Sequence, residues 1–295
     1  MESSNTMYEI KTADARVQIR EDMGAAISRY DLDDGTPVFR PSPADASDEF
    51  QLACNLMIPW CNRISDGGFY ADSVFYPLFP NRKDEPSPLH GDAFQQAWEC
   101  IKQTESSVSF RLETRETPPF HYVAEVDYTL DGAALKVTLT VTNLSEACLP
   151  YGVGLHPWFL QDDDTWLQTT VQEFIVSDDA GLPIEALEIA KRPEWDFSNV
   201  ENLPAAGLDH CFTGWSQQAT LGWPSRDLKL EITTDGNLPC CHIYSPGKQS
   251  PFFCFEPVSH PVNAHHWPDR SLQGLTQLVQ GESLRVCCNF APSKI

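Results

Sequence analysis

The pattern that most restricts how this chain can fold is a period-two alternation of apolar and polar residues between Val108 and Thr142. Residues 108–115 and 122–130 alternate, and Asp131-Gly132 marks a hairpin before Leu135-Lys136-Val137-Thr138-Leu139-Thr140-Val141-Thr142. Successive strand side chains point to opposite faces, so Leu135, Val137, Leu139 and Val141 fall on one side and Lys136, Thr138, Thr140 and Thr142 on the other. That division predicts antiparallel strands with one face in the core and one in solvent. Asn143-Leu144-Ser145 then turns the chain.

The same grammar recurs elsewhere. Residues 8–20 alternate, and Met23-Gly24-Ala25-Ala26 leads into a second strand ending at Asp31-Leu32-Asp33-Asp34-Gly35, an opening meander. A surface connection follows over residues 41–48, then an apolar run over residues 55–64 that ends in a polar pair, then a turn at Asp66-Gly67-Gly68. Residues 228–233 are strand-like and closed by Asp235-Gly236-Asn237; residues 241–245, 252–257 and 284–290 read the same way. Only residues 184–191 predict a short helix, stopped by Pro193. With no fixed-period repeat, low-complexity block or dividing linker, the expectation is all-β, one large antiparallel domain over residues 1–295.

A charge of −22, from 42 acidic and 20 basic side chains, disfavours nucleic acid and anionic membranes as partners and makes a phosphorylated substrate an unexpected one. Residues 1–6 lack the basic and apolar regions of a signal peptide, and no apolar run approaches the ~20 residues that span a bilayer, so a cytoplasmic location is expected. Ten scattered cysteines without a Cys-x-x-Cys pair read as small buried apolar residues, not as disulfides or a zinc site.

Chemistry concentrates in residues 149–159. If extended, this segment puts Gly152, Gly154 and His156 on one side and Tyr151, Val153 and Leu155 on the other. Pro157 favours the extended form, because the residue before a proline is pushed out of the helical region. His156 would then stand beside bare backbone with room for a ligand; equally, it reads as a buried histidine whose neighbouring glycines let another strand approach. Glu256 shares a face with Cys254 and Phe252, where a carboxylate is costly unless it is hydrogen-bonded or used. A histidine and a glutamate at one site can serve as acid and base, with ordinary values of ~6.5 and ~4.3. Arg63, at the edge of buried structure, reads either as an ion-pair member or as a fork for hydroxyls or a carboxylate. Asp162-Asp163-Asp164 reads as a solvated loop, since three consecutive carboxylates cannot converge on one ion.

In chain order, Pro59-Trp60-Cys61-Asn62-Arg63-Ile64, Leu89-His90-Gly91, Gly154-Leu155-His156-Pro157-Trp158-Phe159, Leu208-Asp209-His210-Cys211-Phe212 and Phe255-Glu256-Pro257 resemble the aldose 1-epimerases, or galactose mutarotases. The resemblance covers the chain from about residue 50 to its end and implies a β-supersandwich of mainly antiparallel strands. It further implies ring opening of a free monosaccharide, with Glu256 as base toward the anomeric hydroxyl and His156 as acid toward the ring oxygen. Arg63, His90 and Asp209 would hold sugar hydroxyls, Arg63 and His90 would also stabilise charge at oxygen, and Trp158 would offer an aromatic face. No cofactor and no metal are implied, and the protein would be a monomer or homodimer. Two departures bear on the preferred sugar: Trp158 stands where many members have tyrosine, and His242 where a sugar-contacting glutamine is usual. The stretch His260 to Pro268, with His265-His266, receives no role. The alternatives are a sugar-phosphate mutarotase, which would need a further basic cluster, a non-catalytic carbohydrate-binding or regulatory protein, and a glycosidase, which would need two carboxylates flanking the bond.

Overall fold

The computed structural model describes residues 7–267 and 274–295. It is built from two large antiparallel sheets, and its only helical elements among the described residues are three-residue 3-10 turns. The first sheet has ten strands in the order Met7–Lys11, Ala15–Arg20, Ala26–Leu32, Cys54–Met57, Gly154–Leu160, Phe252–Val258, Cys240–Ser245, Leu208–Thr213, Glu173–Ser177 and Pro183–Glu188. The second has nine: Glu201–Asn202, Trp166–Thr169, Gln218–Trp223, Leu228–Thr234, Ser283–Ser293, Ala134–Asn143, Tyr122–Asp131, Ser107–Thr114 and Glu99–Gln103. The alternating segment forms the second sheet's clearest hairpin, with Val137 opposite Tyr128 and Leu139 opposite Val126. Leu135, Val137, Leu139 and Val141 are buried as the pattern requires; on the other face Lys136 is exposed, but Thr138 is covered.

The two sheets meet through their inner faces. Phe159 and Phe253 of the first sheet stack near Trp223 of the second, at ring separations of 6.1 and 6.4 Å. Tyr30 and Tyr128 reach across as well, donating hydroxyl hydrogen bonds to the Ala133 and Ala25 carbonyls. Burial of each such aromatic contributes roughly 1.5–3 kcal/mol. Because Phe159, Phe253 and Phe255 point into this interior, their strand neighbours His156, Trp158, Cys254 and Glu256 must point to the first sheet's outer face. There they are sheltered by loops rather than by the second sheet.

Two local expectations change. Residues 8–20 form two strands, Met7–Lys11 and Ala15–Arg20, separated where the Thr12 hydroxyl accepts from the Asp14 and Ala15 N–H groups. Residues 184–191 do not form a helix: Pro183–Glu188 is an edge strand paired with Glu173–Ser177, followed by a 3-10 turn at Ile189–Lys191. An isolated eight-residue helix is marginal in water, whereas pairing at a sheet edge satisfies the backbone directly. His265 and His266 sit in a 3-10 turn, Ala264–His266; Pro268 lies outside the described residues. All ten cysteines are free, seven of them buried. The acidic loop diverges, with Asp162 pairing with Arg226 and Asp164 accepting from Ser225.

Candidate active site

A single row of residues crosses the outer face of the ten-stranded sheet. His156 lies opposite Asn55, Glu256 opposite His242, and His242 opposite Cys211. The pairs Gly154–Val258 and Trp158–Cys254 bracket His156 and Glu256 on adjoining strands. Strand alternation and register therefore bring the imidazole and the carboxylate together, with His156 Nε2 lying 3.6 Å from Glu256 Oε1. Both side chains are buried.

One cavity of about 240 Å³ collects every site residue singled out from the sequence. His156, Glu256 and His242 form its floor, Trp158 and Asp209 come from the same sheet, and Arg63 and His90 come from loops. Phe50, Asn62, Glu85 and Tyr244 also line it and were not singled out. Tyr244 had a signal, since it lies two residues from His242 on one strand; Phe50 and Glu85 sit in stretches without periodicity. A larger cavity of about 570 Å³, lined by Tyr76, Leu78, Phe79, Pro118 and Pro119 among others, is mostly apolar and brings none of these residues together. Size alone does not mark the site.

The glycines near His156 serve packing, not ligand access. A Cβ on Gly152 would lie 2.1 Å from the His260 ring, and one on Gly154 would lie 2.7 Å from Cys61 Sγ. His260 has a structural part, with Nδ1 donating to the Pro261 carbonyl and Nε2 accepting from the Cys61 N–H at 2.9 Å. Burial lowers it to about 4, so it stays neutral. His265 packs on Phe69, and His266 donates to the Gly68 carbonyl.

His90 depends on its successor. Gly91 has φ +71, and a Cβ there would fall 1.8 Å from the Ile58 carbonyl oxygen, so the chain passes closely enough only with glycine. His90 Nδ1 accepts from the Asn62 N–H at 3.0 Å, which leaves the proton of the neutral ring on Nε2 as a donor. Burial, reinforced by the nearby Arg63 charge, holds His90 well below the usual histidine range. Trp158 does not present an open platform: its ring stacks on His156 at 4.9 Å and 8°, and the Arg40 guanidinium sits 4.1 Å from its centroid. It orients the imidazole instead.

Burial dominates the electrostatics of the pair. It lowers His156 to about 3, helped by the His242 charge, and raises Glu256 to about 8, against the pull of the same charge. Burial also opposes a charge on His242, yet the 2.7 Å contact with Asp209, followed by Cys211 and Glu256, keeps it well above the ordinary value. Asp209 responds in kind: burial would raise it, but His242 holds it below the usual carboxylate range. The site thus sets His242, held toward its charged form by Asp209, beside a His156–Glu256 pair that burial drives toward its neutral forms. His156, Cys254 and Glu256 could together offer a metal three ligand atoms within 4.8 Å of one another, although doing so would engage both members of that pair.

Comparison with known proteins agrees with this fold. The protein YphB of Escherichia coli K12, itself uncharacterized, is 29% identical over 286 residues, 94% of this chain and 96% of its own. A crystal structure of an Escherichia coli K12 protein superposes with a TM-score of 0.92 at 27% identity, covering 98% of this chain and 99% of the other. A galactose mutarotase-like protein from Clostridium acetobutylicum shares the fold at a TM-score of 0.88 and 18% identity, over 100% and 97% of the two chains. The aldose 1-epimerase family profile matches residues 6–290. A match of that extent on a two-sheet mutarotase fold is decisive: the chain belongs to the aldose 1-epimerase family.

Proposed function

We propose that the protein interconverts the α and β anomers of a free, uncharged aldose by acid-base ring opening and reclosure. The observation that carries this reading is the 3.6 Å approach of His156 Nε2 to Glu256 Oε1 within a cavity of about 240 Å³. Ligand pockets commonly enclose ~300–1,000 Å³, so this one suits a single small ring.

In the forward step Glu256 takes the anomeric hydroxyl proton as C1=O forms, the bond from C1 to the ring oxygen breaks, and that oxygen receives a proton from His156. Rotation about C1–C2 and the reverse transfers close the ring on the other face. No proton is gained or lost overall. The open-chain stage is accompanied by a carboxylic acid and a neutral imidazole, the same placement that burial favours in the protein alone. The enzyme is thereby complementary to the intermediate, while the ring forms require the carboxylate and imidazolium. His90, donating from Nε2, would support charge on oxygen, and Asp209 has a second carboxylate oxygen for a sugar hydroxyl.

The test is polarimetry of freshly dissolved α-glucose and α-galactose, with and without protein. Acceleration of either supports the proposal. No acceleration across a panel of aldoses would leave a sugar-binding protein on the same fold.

A further inference from the structure

Arg63 offers the kind of planar fork that recognises carboxylates and phosphates, yet it is already occupied from within the chain. Its Nε donates to Glu85 Oε2 at 2.9 Å and its Nη2 to Glu85 Oε1 at 2.8 Å, a bidentate clamp. The remaining nitrogen, Nη1, donates to Asn62 Oδ1 at 3.3 Å. Glu85 itself lines the cavity, so its carboxylate stands where an anionic ligand would have to bind. The carboxylate is firmly placed. At the start of its loop the Asn81 side chain bonds the Leu89 N–H and the Leu89 and Gly91 carbonyls, and Arg82 pairs with Asp48 and Glu49.

The other cation of the cavity, His242, is matched by Asp209. Among the described lining residues no cation is left over for a substrate charge, and the chain as a whole carries −22. We propose that Glu85 is the selectivity residue of this site: by filling the Arg63 fork it restricts the cavity to aldoses without a charged substituent and excludes uronates and sugar phosphates. An anionic sugar must either displace Glu85 from Arg63 or sit beside it against like-charge repulsion. This inference rests on the mutarotase reading for its assay, but not for its binding test.

Anomer exchange can be followed at equilibrium by proton NMR exchange spectroscopy on glucose, glucuronate and glucose 6-phosphate. In wild-type protein kcat/KM for the two anions should fall below that for glucose by about 100-fold or more, as expected when an anionic group leaves water for a cavity with no free cation to receive it. Glu85→Gln, which keeps the shape and removes the charge, should narrow that ratio by about 10-fold or more. Glu85→Asp, which keeps the charge, should preserve the discrimination. Wild-type protein that exchanges glucuronate as well as glucose, or a ratio unmoved in Glu85→Gln, overturns the proposal. If no aldose is exchanged, the mutarotase reading fails separately; ligand-observed NMR of glucose and glucuronate binding to wild type and Glu85→Gln then decides the part played by Glu85, by the same ratio.

Discussion

His156 Nε2 and Glu256 Oε1 approach to 3.6 Å from adjoining strands, and neither side chain has water enough around it to carry a charge cheaply. Removing either member should therefore remove the proton exchange. Glu256→Gln and His156→Asn are each expected to lower the mutarotation rate by ~10²–10⁴. Polarimetry on folded variants checks this, and an unchanged rate in either takes that residue out of the mechanism.

The proposed mechanism fixes a pH profile. Its active form holds one exchangeable proton on the pair, so it is lost when Glu256 releases its proton near about 8 and when His156 gains one near about 3. These limits belong to the pair as a unit. kcat/KM should stay level through neutrality and fall on the alkaline side near 8. Because the His242 charge lowers Glu256, His242→Gln should move that alkaline limb to higher pH. A His242 that only contacts sugar would change KM and leave the limb where it is.

Stability should show the cost of the buried carboxyl. Below its ordinary value of 4.5 both folded and unfolded chains hold the Glu256 proton; between there and about 8 the unfolded chain releases it while the native protein keeps it. Stability contributed by the protonated form is thus lost as pH rises through this window. Glu256→Gln escapes the loss, so its melting temperature relative to wild type should increase between about pH 5 and about pH 8.5, by on the order of 2–5 °C. A difference that stays flat with pH would contradict the raised value.

Gly91→Ala tests how His90 is held. The added Cβ would meet the Ile58 carbonyl oxygen at 1.8 Å in a backbone with φ +71. A loss of ~1–3 kcal/mol or more in stability is expected, together with lower kcat/KM as His90 is displaced. Denaturant melts and polarimetry measure the two effects; a variant normal in both would show that the loop tolerates the shift.

How much of this was legible in the sequence depended on the range of the interaction. The hairpin at Asp131-Gly132 is written locally, in alternation and turn residues, and the pairing of Val137 with Tyr128 follows from it. His156 and Glu256 were visible as chemistry on extended segments, but their register across two strands was not, because nothing within either segment specifies its neighbour. The glycines beside His156 misled for the same reason: the His260 ring and Cys61 that fill the space come from elsewhere in the chain. Glu85 was invisible because its partner, Arg63, lies 22 residues away across an aperiodic loop. At residues 184–191 an apparent helical pattern yielded to the exposed edge of a sheet.

The row from Asn55 through His156, Glu256 and His242 to Cys211 draws on five strands, and a hundred residues separate His156 from Glu256. Such pairings close large loops and form slowly compared with local hairpins. The proposed His156–Glu256 site is consequently a property of the completed sheet and of no fragment of it. During refolding, the proposed anomer exchange should trail the return of strand signal, making it a reporter of the last long-range contacts to form.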